Sequence, residues 1–281
     1  MILVFGHSGQ VATELQRQAK VVTLARADVD LTDPAACAAA IQAAKPHAVI
    51  NAAAYTAVDR AEEEEGLATI INGGAPTAMA RACADMQIPF IHISTDYVFA
   101  GSGDQPWQPD DPVGPLGAYG RSKLAGEKGI TSAGGISAIL RTSWVFSAHG
   151  NNFVKAMLRL GAERDKLTIV ADQIGGPTPA AGIAASCLQI AAHLAQNPEA
   201  SGIYHYAGAP DASWADFARE IFKQNGIVCD VEDIPTAAYP TPAMRPLNSR
   251  MDCSSLQQVF GIERPDWRAA LKDVLKDLGH E

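Results

Sequence analysis

The amino-acid sequence predicts an α/β protein with a Rossmann-type, doubly wound parallel sheet and a smaller C-terminal lobe. Short apolar segments recur along the first half of the chain, and their near-continuous hydrophobicity is typical of strands covered on both faces. Between them, apolar residues repeat at helical spacing, as at Val11, Leu15 and Ala19. Strands that alternate with helices favour a parallel sheet with helices on both faces.

The expected strands of the first half occupy residues 2–5, 21–24, 48–50, 90–93 and 138–140. After Trp144 the alternation weakens, although residues 168–170 suggest one more strand and residues 180–195 an alanine-rich helix. Later features are a capping-box pattern at Ser213 and Asp216, a proline-interrupted connector at 235–246, and an apolar helical stripe at 267–278. We therefore expect a Rossmann domain over residues 1–145 and a lobe over residues 146–281, with some segments of the latter returning to the first domain.

Composition and charge narrow the classes of function. The 281 residues carry a formal net charge of −9, which argues against a protein that coats nucleic acid, because phosphate binding needs clustered cations. The five cysteines are scattered without a Cys-x-x-Cys motif, so we expect free thiols in a reducing cytoplasm. The histidines lack metal-ligand spacing, no apolar segment reaches membrane length, and we expect no signal peptide. These features predict a cytoplasmic protein with no metal, nucleic-acid or membrane partner.

A glycine-rich turn directly follows the first expected strand. Gly6 permits a tight turn and Gly9 lets the backbone approach a phosphate at the positive end of the first helix, whereas Ala12 takes the third glycine position. Such a turn is weak evidence alone, but its place after the first strand favours a bound dinucleotide. The residues expected to contact that cofactor here are Gly6, Ser8, Gly9, Gln10 and Val11.

The end of the second strand indicates which dinucleotide is bound. NAD-specific sites usually place an acidic residue there, but this chain has Arg26, whose guanidinium suits a 2′-phosphate. NADPH is therefore favoured, and NADH is the alternative if Arg26 is only a solvated surface residue. Asp30 and Leu31 are placed near the adenine. The segment after the third strand begins with small side chains that admit a flat ring, and further cofactor contacts are assigned to Ala52, Ala53, Ala54, Tyr55 and Thr56.

Tyr119 and Lys123 lie four residues apart in an expected helix, so both project from one face about one turn apart. An ammonium beside a phenol favours the phenolate and lowers a tyrosine pKa that is normally about 10. Tyr119 is then a candidate proton donor to a substrate oxygen, although Tyr-x-x-x-Lys also arises by chance on exposed helices. Thr95 ends the fourth strand, where it is placed either to hydrogen-bond the same oxygen or to cap a helix.

The glycine turn, the strand-end hydroxyl and the Tyr-x-x-x-Lys pair together are the signature of short-chain dehydrogenase/reductases. The sequence resembles one branch of these enzymes, the dTDP-4-dehydrorhamnose reductase family. The segments that carry the resemblance extend along the whole chain: residues 51–59, 94–99, 119–127, 141–145, 150–153, 172–178 and 245–250. Several of them are specific to the branch rather than to the superfamily.

This resemblance implies NADPH-dependent reduction of the 4-keto group of dTDP-6-deoxy-L-lyxo-4-hexulose to dTDP-L-rhamnose. It also implies that Tyr119 is the proton donor and that Lys123 lowers the pKa of Tyr119 and holds the ribose. Thr95 would complete the catalytic group, and the C-terminal lobe would bind the substrate. The substrate contacts that the resemblance implies are Thr95, Asp96 and Tyr97 near the reacting carbon, Trp144 over the deoxysugar, Asn152, and Arg245 or Arg250 on the diphosphate. The alternatives are a core role for Trp144 and surface ion pairs for the two arginines.

Some members of this family bind Mg²⁺ at a contact between subunits. Glu14 matches one of the carboxylates, but Ala181 stands where another is expected. Because this chain lacks that ligand, we expect no metal, and a homodimer is left as an open alternative.

Two other functions stay open from the sequence. One is a non-catalytic regulatory subunit of the same fold, since a regulatory subunit of methionine adenosyltransferase resembles this branch. The intact Thr95, Tyr119 and Lys123 weigh against it. The other is a nucleotide-sugar epimerase or dehydratase. Dehydratases carry an Asp-Glu pair after the strand-end threonine, whereas here Asp96 is followed by Tyr97.

Overall fold

The computed structural model describes residues 1–280. The strands are β1 (Ile2–Phe5), β2 (Val21–Leu24), β3 (Ala48–Asn51), β4 (Phe90–Thr95), β5 (Ser137–Thr142), β6 (Val145–Phe146), β7 (Lys166–Val170), β8 (Ile174–Gly175), β9 (Thr178–Pro179), β10 (Gly202–His205), β11 (Ala212–Ser213), β12 (Asp230–Ile234) and β13 (Asn248–Ser249). The α-helices are α1 (Gln10–Gln18), α2 (Pro34–Ala44), α3 (Glu65–Thr69), α4 (Ala75–Asp85), α5 (Ala118–Ala133), α6 (Phe153–Glu163), α7 (Ala180–Leu194), α8 (Trp214–Gln224), α9 (Ser254–Phe260) and α10 (Trp267–Asp277). Shorter helical turns include Asp96–Val98 and the π-helical turn Ile70–Gly74.

A six-stranded parallel sheet in the order β10-β5-β4-β3-β1-β2 forms the centre of the fold. The five strands expected in the first half all belong to it, so the predicted doubly wound α/β fold is confirmed. The sixth strand, β10, comes from the second half of the chain and was not predicted. It lies at the edge of the sheet beside β5.

The sheet is covered on both faces, which explains its near-continuous apolar strands. Side chains alternate along a strand, so neighbouring residues of β1 enter different cores. Leu3 and Phe5 pack with residues of α2, α4 and α5, whereas Val4 packs with residues of α1 and α7. The expected helix at 180–195 is α7, and it lies on the main sheet against α1 rather than in the second lobe.

The second lobe has its own apolar core between α6, α8 and α10. Trp267, Leu271 and Leu275 are buried there, as the stripe on the last helix predicted. Residues 168–170 do form a strand, but β7 pairs only with β12 in a separate two-stranded sheet. The capping box at the start of α8 is present: Ser213 Oγ accepts from the Asp216 N–H at 3.0 Å, and Asp216 Oδ2 accepts from the Ser213 N–H at 3.1 Å.

The carboxyl ends of the central strands meet at one edge of the sheet. Phe5 of β1 is in register with Asn51 of β3, and Thr95 of β4 is in register with Thr142 of β5. Open α/β sheets bind ligands at this edge. Over the described part of the chain, no helix has both the length and the apolar character that a membrane span requires.

Candidate active site

A cavity of about 680 Å³ runs along the carboxyl edge of the sheet. Segments that follow β1 to β5 form most of its wall, and Trp214 of α8 contributes from the second lobe. Most of the residues expected at the cofactor site line it, namely Gly6, Ser8, Gly9, Gln10, Val11, Arg26, Asp30, Leu31, Ala52, Ala53, Ala54, Thr56, Tyr119 and Lys123. The expected substrate residues in the wall are Thr95, Asp96, Tyr97 and Trp144.

The glycine-rich turn has the geometry that a pyrophosphate requires. Gly6 has a φ of 110°, which a side chain would strain, and it lies close to the backbone of Ala52 and Ala53. Gly9 is the N-cap of α1, no side chain caps that end, and the first turn carries no acidic residue. A Cβ on Gly9 would meet nothing within 4 Å, so the helix N-terminus opens into free space. The unfilled N–H groups and the helix dipole therefore suit a phosphate at this position.

Arg26 stands at the far end of the cavity, after β2. Its side chain is 81% exposed and lies 3.6 Å from the Asp30 carboxylate, measured from Nε to Oδ2. An exposed pair of this kind contributes little to stability, so the guanidinium can turn toward a ligand at small cost. The residues present thus fit a dinucleotide that carries a 2′-phosphate.

Thr95, Asp96 and Tyr119 come together at the end of the cavity beside β4. The Thr95 hydroxyl donates to Asp96 Oδ1 at 3.0 Å and accepts from the Tyr97 N–H at 3.2 Å. Thr95 therefore caps the turn Asp96–Val98, its alternative role, while it also lines the cavity. Burial raises the pKa of the Tyr119 phenol, the nearby Asp96 charge raises it further, and contact with the Thr95 hydroxyl opposes both effects.

Lys123 shares a face of α5 with Tyr119, but its Nζ contacts groups other than the Tyr119 hydroxyl. Its Nζ donates to the Ile93 carbonyl at 2.6 Å and lies 3.1 Å from His92 Nε2. Burial lowers the pKa of Lys123 to about 8, and the Glu127 charge opposes this shift. In the absence of ligand, desolvation therefore raises the pKa of Tyr119, whereas the expectation was a lower pKa caused by Lys123. Helical spacing placed both residues on one face of α5, but it could not show what surrounds them.

Asp96 is buried at the strand end beside Thr95. Burial raises the pKa of its carboxyl to about 6, and the nearby Ser249 and Thr95 hydroxyls act in the opposite direction. Asp96 Oδ2 is buried, and no group in residues 1–280 donates a hydrogen bond to it. An unpaired carboxylate oxygen in a cavity wall is suited to accept a hydrogen bond from a bound hydroxyl.

Trp144 forms an aromatic wall together with a residue that the sequence analysis missed. Its ring stacks on Trp214 with 3.7 Å between centroids and 13° between planes. Trp144 has a left-handed φ of 48°, and Gly175 makes room for its ring, since a Cβ there would come within 3.0 Å of Cε2. Trp214 had no signal in the sequence beyond its position next to the Ser213 cap.

Four expected site residues lie outside the cavity wall. The Tyr55 hydroxyl donates to Glu64 Oε2 at 2.8 Å, and Asn152 caps α6 while its amide donates to Gln10 Oε1 at 3.0 Å. Arg245 Nη2 pairs with Asp59 Oδ2 at 2.8 Å, and Arg250 Nη1 donates to Asn248 Oδ1 at 3.1 Å. Arg245 thus forms an ion pair, as in its alternative role, and Arg250 Nε lies 3.9 Å from Asp211 Oδ2. Spacing could not show the partners of Asn152 and Arg245, because Gln10 and Asp59 are distant in sequence.

Glu14 contacts basic groups rather than other carboxylates. Its Oε1 lies 3.0 Å from His149 Nε2 and 3.3 Å from Arg17 Nη1. Within residues 1–280, no group of three or more His, Cys, Asp or Glu side chains could hold a metal ion.

Comparison with known proteins places the chain in a family. The family model described as RmlD substrate binding domain matches residues 1–280. The dTDP-4-dehydrorhamnose reductase of Sinorhizobium fredii is 43% identical over 98% of this chain and 96% of its own length. The Escherichia coli K12 enzyme of that name is 42% identical over 99% and 97%. The chain belongs to the dTDP-4-dehydrorhamnose reductase family.

Solved structures agree with this assignment. A dTDP-4-dehydrorhamnose reductase from Clostridium acetobutylicum has a TM-score of 0.92 and 36% identity, covering 99% of both chains. A dTDP-4-dehydrorhamnose reductase from Bacillus anthracis, solved in complex with NADP, has a TM-score of 0.91 and 31% identity, covering 98% of both chains. The resemblance that the sequence motifs indicated is therefore confirmed.

Proposed function

We propose that this protein reduces the 4-keto group of dTDP-6-deoxy-L-lyxo-4-hexulose to dTDP-L-rhamnose with NADPH. The observation that best supports this proposal is a single cavity. It has a phosphate-binding turn at one end and Thr95, Asp96 and Tyr119 at the other. Membership of the dTDP-4-dehydrorhamnose reductase family over nearly the whole chain supports the choice of substrate.

NADPH, when bound, supplies the hydride. We assign the turn from Gly6 to Val11 to its pyrophosphate and Arg26 to its 2′-phosphate. The small residues Ala52 to Ala54, which follow β3, leave space along the sheet edge on the side of the turn away from Arg26. Lys123, at the floor of the cavity, is assigned to the ribose near Tyr119.

Tyr119 provides the proton for the carbonyl oxygen at C4. Its raised pKa keeps the phenol protonated at neutral pH, which a proton donor for reduction requires. The developing alkoxide is more basic than a phenolate, so transfer from a buried phenol is favourable. We assign Thr95 to a second hydrogen bond to the same oxygen, for which its one hydroxyl proton must turn from Asp96 Oδ1 to the substrate. Such donors stabilise charge that develops in the transition state.

In this proposal, one part of the chain binds the cofactor and the other binds most of the substrate. Residues 1–145 form the NADPH-binding Rossmann domain, and residues 146–281 mainly form the substrate-binding lobe, with α7 and β10 returning to the central sheet. Glu281 lies outside the described residues. Trp214 and its partner Trp144 support this division, because their stack joins the lobe to the cavity.

A coupled assay tests the proposal. It would supply the dTDP-ketosugar, follow the absorbance of NADPH and of NADH separately, and identify the product sugar. We expect Tyr119→Phe to lose most turnover, about 10²-fold or more, while NADPH binding is nearly unchanged. Tyr204→Phe is the matched control, because Tyr204 is buried on β10 and donates to the Ala200 carbonyl away from the cavity.

Other outcomes of the same assay would contradict either the role of Tyr119 or the reductase function. Full activity in a folded Tyr119→Phe variant would remove Tyr119 from its assigned role. A wild-type protein that never oxidises NADPH with the ketosugar would support a regulatory subunit. Tightly retained NAD⁺ in the purified protein would favour an epimerase or dehydratase over a reductase with exchangeable NADPH.

A further inference from the structure

Lys123 is the end of a buried chain of three polar side chains. Its Nζ lies 3.1 Å from His92 Nε2, and His92 Nδ1 lies 3.1 Å from Asn51 Nδ2. Lys123 is 2% exposed, His92 is 0% exposed and Asn51 is 1% exposed. In such a dry environment a mismatched or unpaired polar group is costly, so the contacts constrain where the protons lie.

The backbone determines the orientation of the Asn51 amide. The Ala53 N–H donates to Asn51 Oδ1 at 3.2 Å, so the NH₂ group of Asn51 points to His92. His92 Nδ1 must then accept, and a neutral imidazole that accepts at Nδ1 carries its proton on Nε2. This N–H points at Lys123 Nζ. A neutral amine can accept it, whereas an ammonium would set donor against donor.

Of the other groups around Lys123, the Glu127 charge opposes this preference. The Ile93 carbonyl accepts from Nζ in either protonation state, at 2.6 Å. Glu127 is the nearby carboxylate on α5, but both of its oxygens accept from the Arg141 guanidinium of β5, at 3.0 and 2.7 Å. Tyr119 is a neutral phenol, and β3 contributes only the neutral Asn51.

The charge state of His92 is consistent with this arrangement. Burial lowers the pKa of His92 well below its ordinary value, and the adjacent Lys123 charge lowers it further. His92 is therefore neutral at physiological pH and has one proton to place. Burial also lowers the pKa of Lys123, to about 8.

We propose that His92 is a positioning residue: Asn51 sets its tautomer, and its Nε2–H orients Lys123 and favours the neutral amine over the ammonium. A lysine held in this way is a stronger acid than an ordinary lysine. The arrangement therefore sets the pH above which Lys123 loses the charge that we assign to the cofactor ribose. Only the kinetic part of the test below rests on the proposed reductase function.

Nitrogen NMR tests the tautomer without any change to the wild-type chain. Long-range ¹H–¹⁵N correlation spectra of the labelled protein distinguish imidazolium from each neutral tautomer, and His92→Gln identifies the His92 signals by their loss. We expect a neutral ring protonated at Nε2 from pH 6 to pH 9. An imidazolium at pH 7, or a proton on Nδ1, would overturn the proposal.

The pH dependence of kcat/KM for NADPH tests the effect on Lys123. The wild type should lose activity as pH rises through about 8, because the ammonium is lost there. In His92→Gln the amide oxygen can accept from the ammonium. The pH at which kcat/KM falls, the alkaline limb of the profile, should therefore rise by about one unit or more. His205→Gln is the matched control, since His205 is equally buried but contacts Arg141 instead of Lys123, and it should leave the limb in place.

A second variant tests the same inference if His92→Gln does not fold. Asn51→Ala frees the tautomer of His92, so Nε2 can accept from Lys123 and the limb should again move upward. Unchanged limbs in folded His92→Gln and Asn51→Ala would overturn the inference while leaving the reductase intact. A wild type without ketosugar reductase activity would instead reject the proposed function, and the NMR result would still decide the tautomer.

Discussion

Lys123 shows how strongly the surroundings of one residue determine its chemistry. Its Nζ lies against the Ile93 carbonyl and the His92 ring, at the Tyr119 end of the cavity. We expect Lys123→Ala to weaken both NADPH binding and turnover, each by about tenfold or more, because a hydrogen bond to a charged group contributes about 1.5–3 kcal/mol. Fluorescence titration with NADPH and steady-state kinetics measure the two effects.

The control for this change is Lys128→Ala, which removes an exposed lysine from the same helix. It should alter neither quantity. If Lys123→Ala left the pH–rate profile of the wild type unchanged, Lys123 would have no part in controlling the proton that Tyr119 delivers.

Asp96 is a second residue whose burial has a measurable consequence. Its folded-state pKa of about 6 lies above the ordinary value, so the carboxyl favours folding most when protonated, and this contribution is lost as pH rises through about 6. Asp96→Asn cannot ionise. We therefore expect its stability relative to wild type to increase between pH 5 and pH 8, by about 1.4 kcal/mol.

Urea unfolding of both proteins at the two pH values measures this difference. Asp104→Asn, an exposed carboxylate in the loop after β4, should show no comparable trend. The same Asp96→Asn enzyme should lose activity if Asp96 accepts a hydrogen bond from the sugar. A stability difference that is independent of pH would mean that Asp96 is already ionised at no cost.

At the scale of elements, α5 must lie very close to its neighbours to bring Tyr119 and Lys123 to the cavity. Gly126 faces the π-helical turn Ile70–Gly74, and a Cβ there would overlap the Asn72 carbonyl oxygen. In an exposed helix, glycine-to-alanine substitution stabilises by about 1 kcal/mol. Here we expect Gly126→Ala to destabilise instead, by about 1–3 kcal/mol, because the helix must move.

The free energy of unfolding, from urea titration, tests this prediction. Gly66→Ala in α3 is the control, since a Cβ at that position meets nothing within 4 Å. It should be neutral or slightly stabilising. A Gly126→Ala protein as stable as this control would show that α5 has more space than its contacts indicate.

Elements differed in how well local pattern predicted them. The central strands β1 to β5 were evident because burial on both faces leaves an apolar run in the sequence. The edge strand β10 has less of this signal, and β7 has a strand pattern but lies outside the main sheet. Which sheet a strand joins depends on pairing with distant segments, and a local pattern does not record that pairing.

At the scale of the whole molecule, the cavity joins the glycine turn, the sheet edge and the second lobe. A ligand that binds there only in the folded state stabilises the protein by about 2.7 kcal/mol at a concentration of 100 times its Kd. We expect NADPH to raise the melting temperature more than NADH does at equal concentration, because Arg26 is available to the 2′-phosphate.

Thermal unfolding with each cofactor measures this preference. Arg26→Ala should remove most of the difference between NADPH and NADH, whereas Arg81→Ala, an exposed arginine on α4, should keep it. Equal shifts with both cofactors in the wild type would contradict the assignment of Arg26.

The sequence by itself determined the doubly wound fold, the glycine turn and the Thr95, Tyr119 and Lys123 set, because each follows from local spacing along one strand or helix. Only the tertiary structure decided how those groups behave. Arg245 pairs with Asp59, Trp214 stacks on Trp144, and His92 with Asn51 surrounds Lys123, in contacts between residues far apart in the chain. Burial also reversed the expected direction of the Tyr119 pKa shift, since desolvation depends on everything packed around the phenol.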